Sequence, residues 1–273
     1  MGNTLLCLGF GYSAQALARK LVPDGWRVVG TNRTGEHAEG FKTVRWPGND
    51  LPLDGVTHVL SSIAPTAEGD PVLADLLQQL GSCAPDWVGY LSTTAVYGDH
   101  DGAWVDEDTP LTPATRRGHW RKEAEEAWLS SGLPVHVFRL AGIYGPGRGP
   151  FSKVKSGQAR RIVKPGQVFS RIHVEDIAQV LAASIAQPNP GSVYNVCDDF
   201  PAPPQDVIGY AAELLGLPKP PEVDFDTADM SPMARSFYSE NKKVQNARIK
   251  SELGVELLYP DYRVGLQALA RDS

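Results

Sequence analysis

Six consecutive residues, Gly9-Phe10-Gly11-Tyr12-Ser13-Ala14, hold the clearest chemistry in this chain. They fit the pattern Gly-x-Gly-x-x-Gly/Ala, in which the first glycine permits a tight turn and the second lets backbone approach a pyrophosphate. The small last residue keeps a helix close to a strand. N–H groups at the opening of that helix face the phosphates with a positive dipole end. The loop is therefore read as binding a dinucleotide through Gly9, Phe10, Gly11, Tyr12, Ser13 and Ala14. Further on, Asn32-Arg33-Thr34 stand where an NAD-preferring site would carry Asp or Glu for the ribose 2′-hydroxyl, and the first acid is Glu36. A guanidinium, an amide and a hydroxyl suit a 2′-phosphate, so NADP is expected over NAD. Ile63 and Ala64, after a later apolar run, are placed beside the same cofactor.

Such groups need a scaffold that brings loop ends together. Short β-branched or apolar runs occur at 4–8, 27–31, 57–62, 87–92, 135–140 and 192–196, with a weaker one at 42–45. Between them apolar residues recur at helical spacing: Ala14, Leu17, Ala18, Leu21, then Leu73, Leu76, Leu77, Leu80. Trp120, Ala124, Ala127 and Trp128 make a third stripe, and Ile177, Val180 and Leu181 begin a fourth. Buried strands alternating with one-faced helices predict an α/β fold, a Rossmann-type doubly wound parallel sheet of about seven strands. Residues 1–145 plus about 171–198 are assigned to this NADP-binding domain. Turn-rich sequence at 145–149 and 201–204, and helical patterns at 205–215, 241–253 and 262–270, assign about 146–170 plus 199–273 to a small substrate-binding lobe. Such a lobe closes a cleft over the carboxyl ends of the strands.

Composition narrows the partners. Of 273 residues 42% are hydrophobic and 21% charged, enough for a substantial core. The formal net charge of −6 offers no broad basic field for nucleic acid or an anionic membrane. The expected partner is a small-molecule substrate. Cys7, Cys83 and Cys197 are odd in number and far apart, which reads as reduced core thiols and not as a disulfide set or metal site. No apolar run spans a bilayer, and strand-like sequence from Thr4 leaves no room for a signal peptide, so a cytoplasmic location is expected. The leucine-striped helix after Pro71 and the helix around Trp120 suit either a homodimer contact or packing within one chain.

Five motifs in order carry a family resemblance. They are Gly9 to Ala14; Leu91-Ser92-Thr93-Thr94-Ala95-Val96-Tyr97-Gly98; Arg139-Leu140-Ala141-Gly142-Ile143-Tyr144-Gly145-Pro146-Gly147; Ile172-His173-Val174-Glu175-Asp176-Ile177-Ala178; and Val193-Tyr194-Asn195-Val196. Together they span most of the chain, which resembles the extended or atypical short-chain dehydrogenase/reductases of the NAD(P)-dependent epimerase/dehydratase kind. The resemblance implies that Thr93 hydrogen-bonds a reacting oxygen and that Lys122 contacts the nicotinamide ribose. It also implies a catalytic tyrosine one helical turn before that lysine, where this chain has Gly118. Tyr97 and Tyr144, at strand ends, become candidate proton donors. His119 has suitable chemistry, but one residue along a helix turns it by about 100° from the Gly118 direction. Nucleotide-sugar enzymes of the family often carry an arginine four residues before the histidine of His-Val-x-Asp; Phe169 stands there, against a nucleotide-sugar substrate. His173 and Asp176 read as the start of a helix. Lys122 with Glu125 and Glu126 also fits a solvated helix face, as does the basic run Lys153, Lys155, Arg160, Arg161 and Lys164. Two functions remain open: an oxidoreductase or epimerase/dehydratase-like enzyme with an altered acid/base group, and a non-catalytic NADP(H)-sensing protein.

If Arg33 reads the 2′-phosphate, its charge-assisted bonds contribute about 1.5–3 kcal/mol, or roughly 10- to 100-fold in affinity. Arg33→Ala is then expected to lose most discrimination of NADPH over NADH in a fluorescence titration while NADH binding is nearly unchanged. Equal weakening of both cofactors would mean that Arg33 supports the loop instead.

Overall fold

The apolar runs become seven parallel strands: β1 (Thr4–Leu8), β2 (Arg27–Asn32), β3 (Lys42–Arg45), β4 (His58–Ser61), β5 (Trp87–Thr93), β6 (Val135–Leu140) and β7 (Val193–Val196). This computed structural model describes residues 2–38 and 40–271. The strands lie in the order β7-β6-β5-β4-β1-β2-β3, with β1 paired to both β2 and β4. The order reverses at β1, so loops leaving β1 and β4 diverge and open a crevice at the carboxyl edge.

Alternation along each strand supplies two cores. Leu5 and Cys7 face helices α1 (Tyr12–Leu21) and α5 (Val174–Ala186), while Leu6 and Leu8 face α2 (Pro71–Cys83) and α3 (Arg116–Leu129). The α1 stripe, Ala14 to Leu21, is buried as its spacing predicts. Helix α2 starts sharply because Asp70 Oδ1 accepts from the amides of Val72 (2.9 Å) and Leu73 (3.2 Å), with Pro71 opening the helix. A separate core forms where α6 (Pro204–Leu214) and α9 (Tyr262–Arg271) meet the short α4 (Phe151–Lys155), around Tyr144, Ala202, Ala211 and Leu266. No helix among the described residues is long and apolar enough to cross a membrane.

Two local expectations are corrected. The helical pattern at 241–253 yields a helix only at α8 (Ala247–Leu253), where α7 is the short Pro232–Ser236. Before α8, Lys243–Val244 pairs with Trp104–Val105, because the Lys243 and Gln245 amides bond the Ala103 and Val105 carbonyls at 2.9 Å. Ladder bonds thus displace local helix formation, and Ile249 and Leu253 join the core of the main sheet.

The second correction concerns α3. Ala127 is exposed, and the buried face instead carries Gly118, Ala124, Glu125 and Trp128. Glu125, which the sequence suggests lies on a solvated face, is 2% exposed. Its carboxylate takes a forked contact from Arg139 of β6, Nη2 to Oε2 at 2.9 Å and Nε to Oε2 at 3.1 Å. Ser92 of β5 donates to the other oxygen. Arg139 Nη1 donates to the Tyr97 hydroxyl (2.9 Å), which donates to Asn195 Oδ1 of β7 (2.7 Å). The Asn195 amide in turn bonds Glu107 Oε1 at 2.8 Å. One buried ion pair therefore ties α3 to three strands. Removing one partner strands a charge in the interior, so Glu125→Ala is expected to cost about 3–5 kcal/mol. Urea unfolding should show that loss, with Glu126→Ala on the exposed side within about 0.5 kcal/mol of wild type.

Candidate functional site

At the crevice the chain turns from β1 into α1. Gly9 has φ +86, and a Cβ there would sit 2.7 Å from Ser62 Oγ and 3.0 Å from Ile63 Cγ1. Only glycine fits both the conformation and the space. Ser62 Oγ donates to the Gly9 carbonyl at 2.5 Å, fastening the β1 turn to the end of β4. Gly11 precedes α1 with no side chain capping the helix, and no protein atom lies within 4 Å of where its Cβ would be. The α1 amides thus open onto a cradle free of side chains, which fits an anionic pyrophosphate. Gly11, Tyr12 and Ser13 line the cleft. Phe10 is core, its ring packed where a Gly30 Cβ would overlap it, and Ala14 is buried against the sheet.

The three residues after β2 divide. Asn32 is spent locally: its Oδ1 accepts from the amides of Gly35 (2.5 Å) and Thr34 (3.2 Å), and its Nδ2 donates to the Glu36 carbonyl (2.8 Å). Thr34 Oγ1 accepts from the Glu36 amide (3.3 Å). These bonds make a rigid turn that presents Arg33, which is exposed and makes no hydrogen bond or ion pair with the described residues. After β4, Ile63 is half-buried against the core and Ala64 lines the cleft.

The cleft continues past Thr93, at the end of β5, to the lobe. Its volume of about 1380 Å³ exceeds the roughly 300–1,000 Å³ of a usual small-molecule site, leaving room for a dinucleotide and a second molecule. Thr93 Oγ1 accepts from the Ala95 amide at 3.3 Å, leaving its proton available to the cleft. Gly118, in the first turn of α3, lines the wall, its amide donating to Thr115 Oγ1 at 3.1 Å. A Cβ on Gly118 would meet Pro113 Cβ at 2.8 Å and the Ala95 carbonyl at 3.2 Å, so no side chain fits there without movement.

Helical register separates the basic residues of α3. Lys122 reaches toward the Leu111 carbonyl at 3.4 Å and is not among the cleft-lining residues. Arg117 and Arg121, one turn apart, line it instead. Arg121 is held from behind, its Nη1 donating to the Tyr90 hydroxyl (2.9 Å) and the Leu91 carbonyl (3.0 Å). The sequence signal for this pair was the four-residue spacing of the two arginines, hidden by the adjacent lysine.

Of the two candidate proton donors, Tyr97 lies within the Arg139 network, fully buried and away from the cleft, with its phenol pushed up to about 12 by burial. Tyr144 does line the cleft, its hydroxyl 3.4 Å from the Asp261 carbonyl, and burial raises its pKa. Tyr12 lines it too, donating to the Pro146 carbonyl at 2.9 Å, and is likewise raised by burial. His119 is exposed. His173 caps α5, its Nδ1 accepting from the Glu175 amide at 3.3 Å, and packs at a tilt against the Tyr259 ring, 3.9 Å between centroids. Asp176 accepts from the amides of Leu258 and Tyr259. Both act as fasteners of the fold. Among the described residues no group of three or more His, Cys, Asp and Glu is placed to hold a metal ion.

No family model matches the chain. It is 30% identical to Protein YeeZ of Escherichia coli K12, over 93% of this chain and 95% of that protein. Among solved structures, a conserved protein of unknown function from Silicibacter pomeroyi DSS is 66% identical, with a TM-score of 0.96 over 99% of both chains. A Methylobacillus flagellatus protein assigned to the NAD-dependent epimerase/dehydratases is 27% identical, with a TM-score of 0.75 over 99% of this chain and 98% of that one. The fold is also that of the human epimerase family protein SDR39U1, solved with NADPH, which is 19% identical with a TM-score of 0.78 over 99% of this chain and all of that one.

His173 gives this region a pH signature. Burial lowers its pKa to about 4, against about 6.5 in an unfolded chain. Below pH 6.5 the unfolded state binds the proton first, so this contribution to stability is complete above 6.5 and is lost as pH falls through 4. Buried Asp198, raised to about 8, acts in the opposite direction between its unfolded value and 8. The difference between wild type and His173→Asn therefore isolates the histidine. Urea midpoints of the variant should fall less steeply from pH 6.5 to pH 4 than those of wild type.

Proposed function

Because the chain belongs to the atypical short-chain dehydrogenase/reductases of the NAD(P)-dependent epimerase/dehydratase kind, we propose that it binds NADP(H) and works as an oxidoreductase or epimerase/dehydratase-like enzyme on a small molecule. The observation that carries this reading is the open cradle at Gly11, an uncapped helix start beside a turn that only glycine can make. Gly11, Tyr12 and Ser13 would hold the pyrophosphate with backbone amides, and Arg33 would take the 2′-phosphate from its braced turn. A nicotinamide bound here supplies a hydride donor or acceptor.

The chain's own residues then manage oxygen and proton. The Thr93 hydroxyl is free to donate to a reacting oxygen. With Gly118 at the family's tyrosine position, and Tyr12 and Tyr144 both raised by burial, the proton is best assigned to a water ordered by Thr93. General acid–base help typically contributes 10²–10⁴-fold, so turnover is expected to be slow by the family's standard. The free thiols of Cys7, Cys83 and Cys197 support a reducing, cytoplasmic setting.

The same shortage of a neutral-range donor favours a second reading, a non-catalytic NADP(H) sensor. Two measurements separate and test these readings. Gly11→Val places a branched side chain in the cradle and should weaken NADPH by at least about 100-fold, equivalent to about 2.8 kcal/mol; unchanged affinity in a folded variant ends the dinucleotide reading. Across a carbonyl panel with deuterium-labelled NADPH, wild type should transfer label slowly and Thr93→Val about 100-fold more slowly still. Tight NADPH binding with no transfer to any compound selects the sensor.

A further inference from the structure

We propose that the cleft selects a small carboxylate carried on an apolar, ring-sized body, with Arg117 and Arg121 binding the carboxylate. This rests on the reading of the cleft as a substrate site. The chain is acidic overall, at −6, yet the cleft is lined by five cationic residues and one acidic one. Three of the cations are already engaged. Lys242 pairs with that acid, Glu240, at 2.6 Å. Arg171 donates to the carbonyls of Phe169 (2.8 Å) and Ala202 (3.0 Å). Arg148 lies over the Tyr12 ring, beside the pyrophosphate cradle.

Arg117 and Arg121 differ from these in standing one turn apart on α3, both lining the cleft. Arg117 has no hydrogen bond or ion pair with the described residues; Arg121 is held through Nη1 and lies over the Tyr90 ring, and its Nε and Nη2 have no hydrogen-bond partner among those residues. Like charges one turn apart repel, and the first turn of α3 holds no acid to offset them. A carboxylate between them relieves this repulsion and matches the planar guanidinium fork. Among the large apolar residues lining the same cleft are Trp120, Phe169, Met233 and Phe237. Met233 is 56% and Phe237 64% exposed, a high cost on a lip unless something apolar passes beneath it. A sugar-like polar body would leave those surfaces uncompensated.

The test is calorimetric titration of the full-length protein, with and without NADP⁺, using 3-phenylpropanoate and its neutral analogue 3-phenylpropanamide. The carboxylate should bind about tenfold or more tightly than the amide. Arg117→Gln and Arg121→Gln should each remove most of that preference, and Phe237→Ser should weaken both probes alike. Arg117 is exposed, so its variant keeps the test valid if Arg121→Gln, which unties the Tyr90 hydroxyl, fails to fold. NADP⁺ affinity should stay within about twofold in Arg117→Gln. No carboxylate binding, equal affinity for both probes, or a parallel loss of NADP⁺ in Arg117→Gln would overturn the proposal. Charge-selective probe binding by a wild type that does not bind NADP⁺ would instead overturn the cofactor reading and leave this one standing.

Discussion

The Arg139–Glu125 pair is the interaction on which the architecture of the site turns. A charged residue within a buried strand must be neutralised there, and the carboxylate that does so comes from the helix forming the cleft wall. The fork between guanidinium and carboxylate fixes the rotation of α3 about its own axis. With Glu125 pinned inward, Arg121, one turn earlier, lines the cleft beside the end of β5, and Lys122 is turned past it. The Tyr97 hydroxyl and the Asn195 side chain extend the same constraint to β7. The order of the wall residues is thus a consequence of charge burial behind them.

Much of the sheet was legible because its signals are local. Every strand run was bounded by turn residues, and the glycine loop sat between a strand and a helix with its φ requirement visible in residue type. The site was less legible because its decisive contacts are not local. Glu125 beside Lys122 and Glu126 looks like solvated charge until its partner 14 residues away is known to be buried. The warning was Arg139 itself, the one guanidinium in the apolar run Val135–Leu140. Tyr97 misled for the same reason: position at a strand end suggests a cleft, but the side chain turns into the network. At 241–253 helical periodicity was real, yet Lys243–Val244 met the edge of Trp104–Val105, and sequence periodicity carries no information about such an encounter.

The two ends of the cleft solve different physical problems. At the Gly11 end the proposed recognition is by backbone: amides at a helix start, a turn without side chains, and a loop stiffened by Asn32 so that one arginine projects. At the α3 end the proposed recognition is by side chains, two guanidiniums against apolar residues. Thr93 lies between them, its acceptor side occupied by the Ala95 amide and its proton unassigned. That arrangement suits a residue that steers an oxygen without itself becoming charged.

The Pro113 ring packed against Gly118 couples the cleft wall to the loop before α3. Since the space beside Gly118 is filled by Pro113 and the Ala95 carbonyl, a tyrosine cannot be placed there by one substitution without displacing the segment that caps α3. Position 118 and the loop before α3 are therefore one unit: a larger side chain on this part of the cleft wall requires a changed loop at the same time.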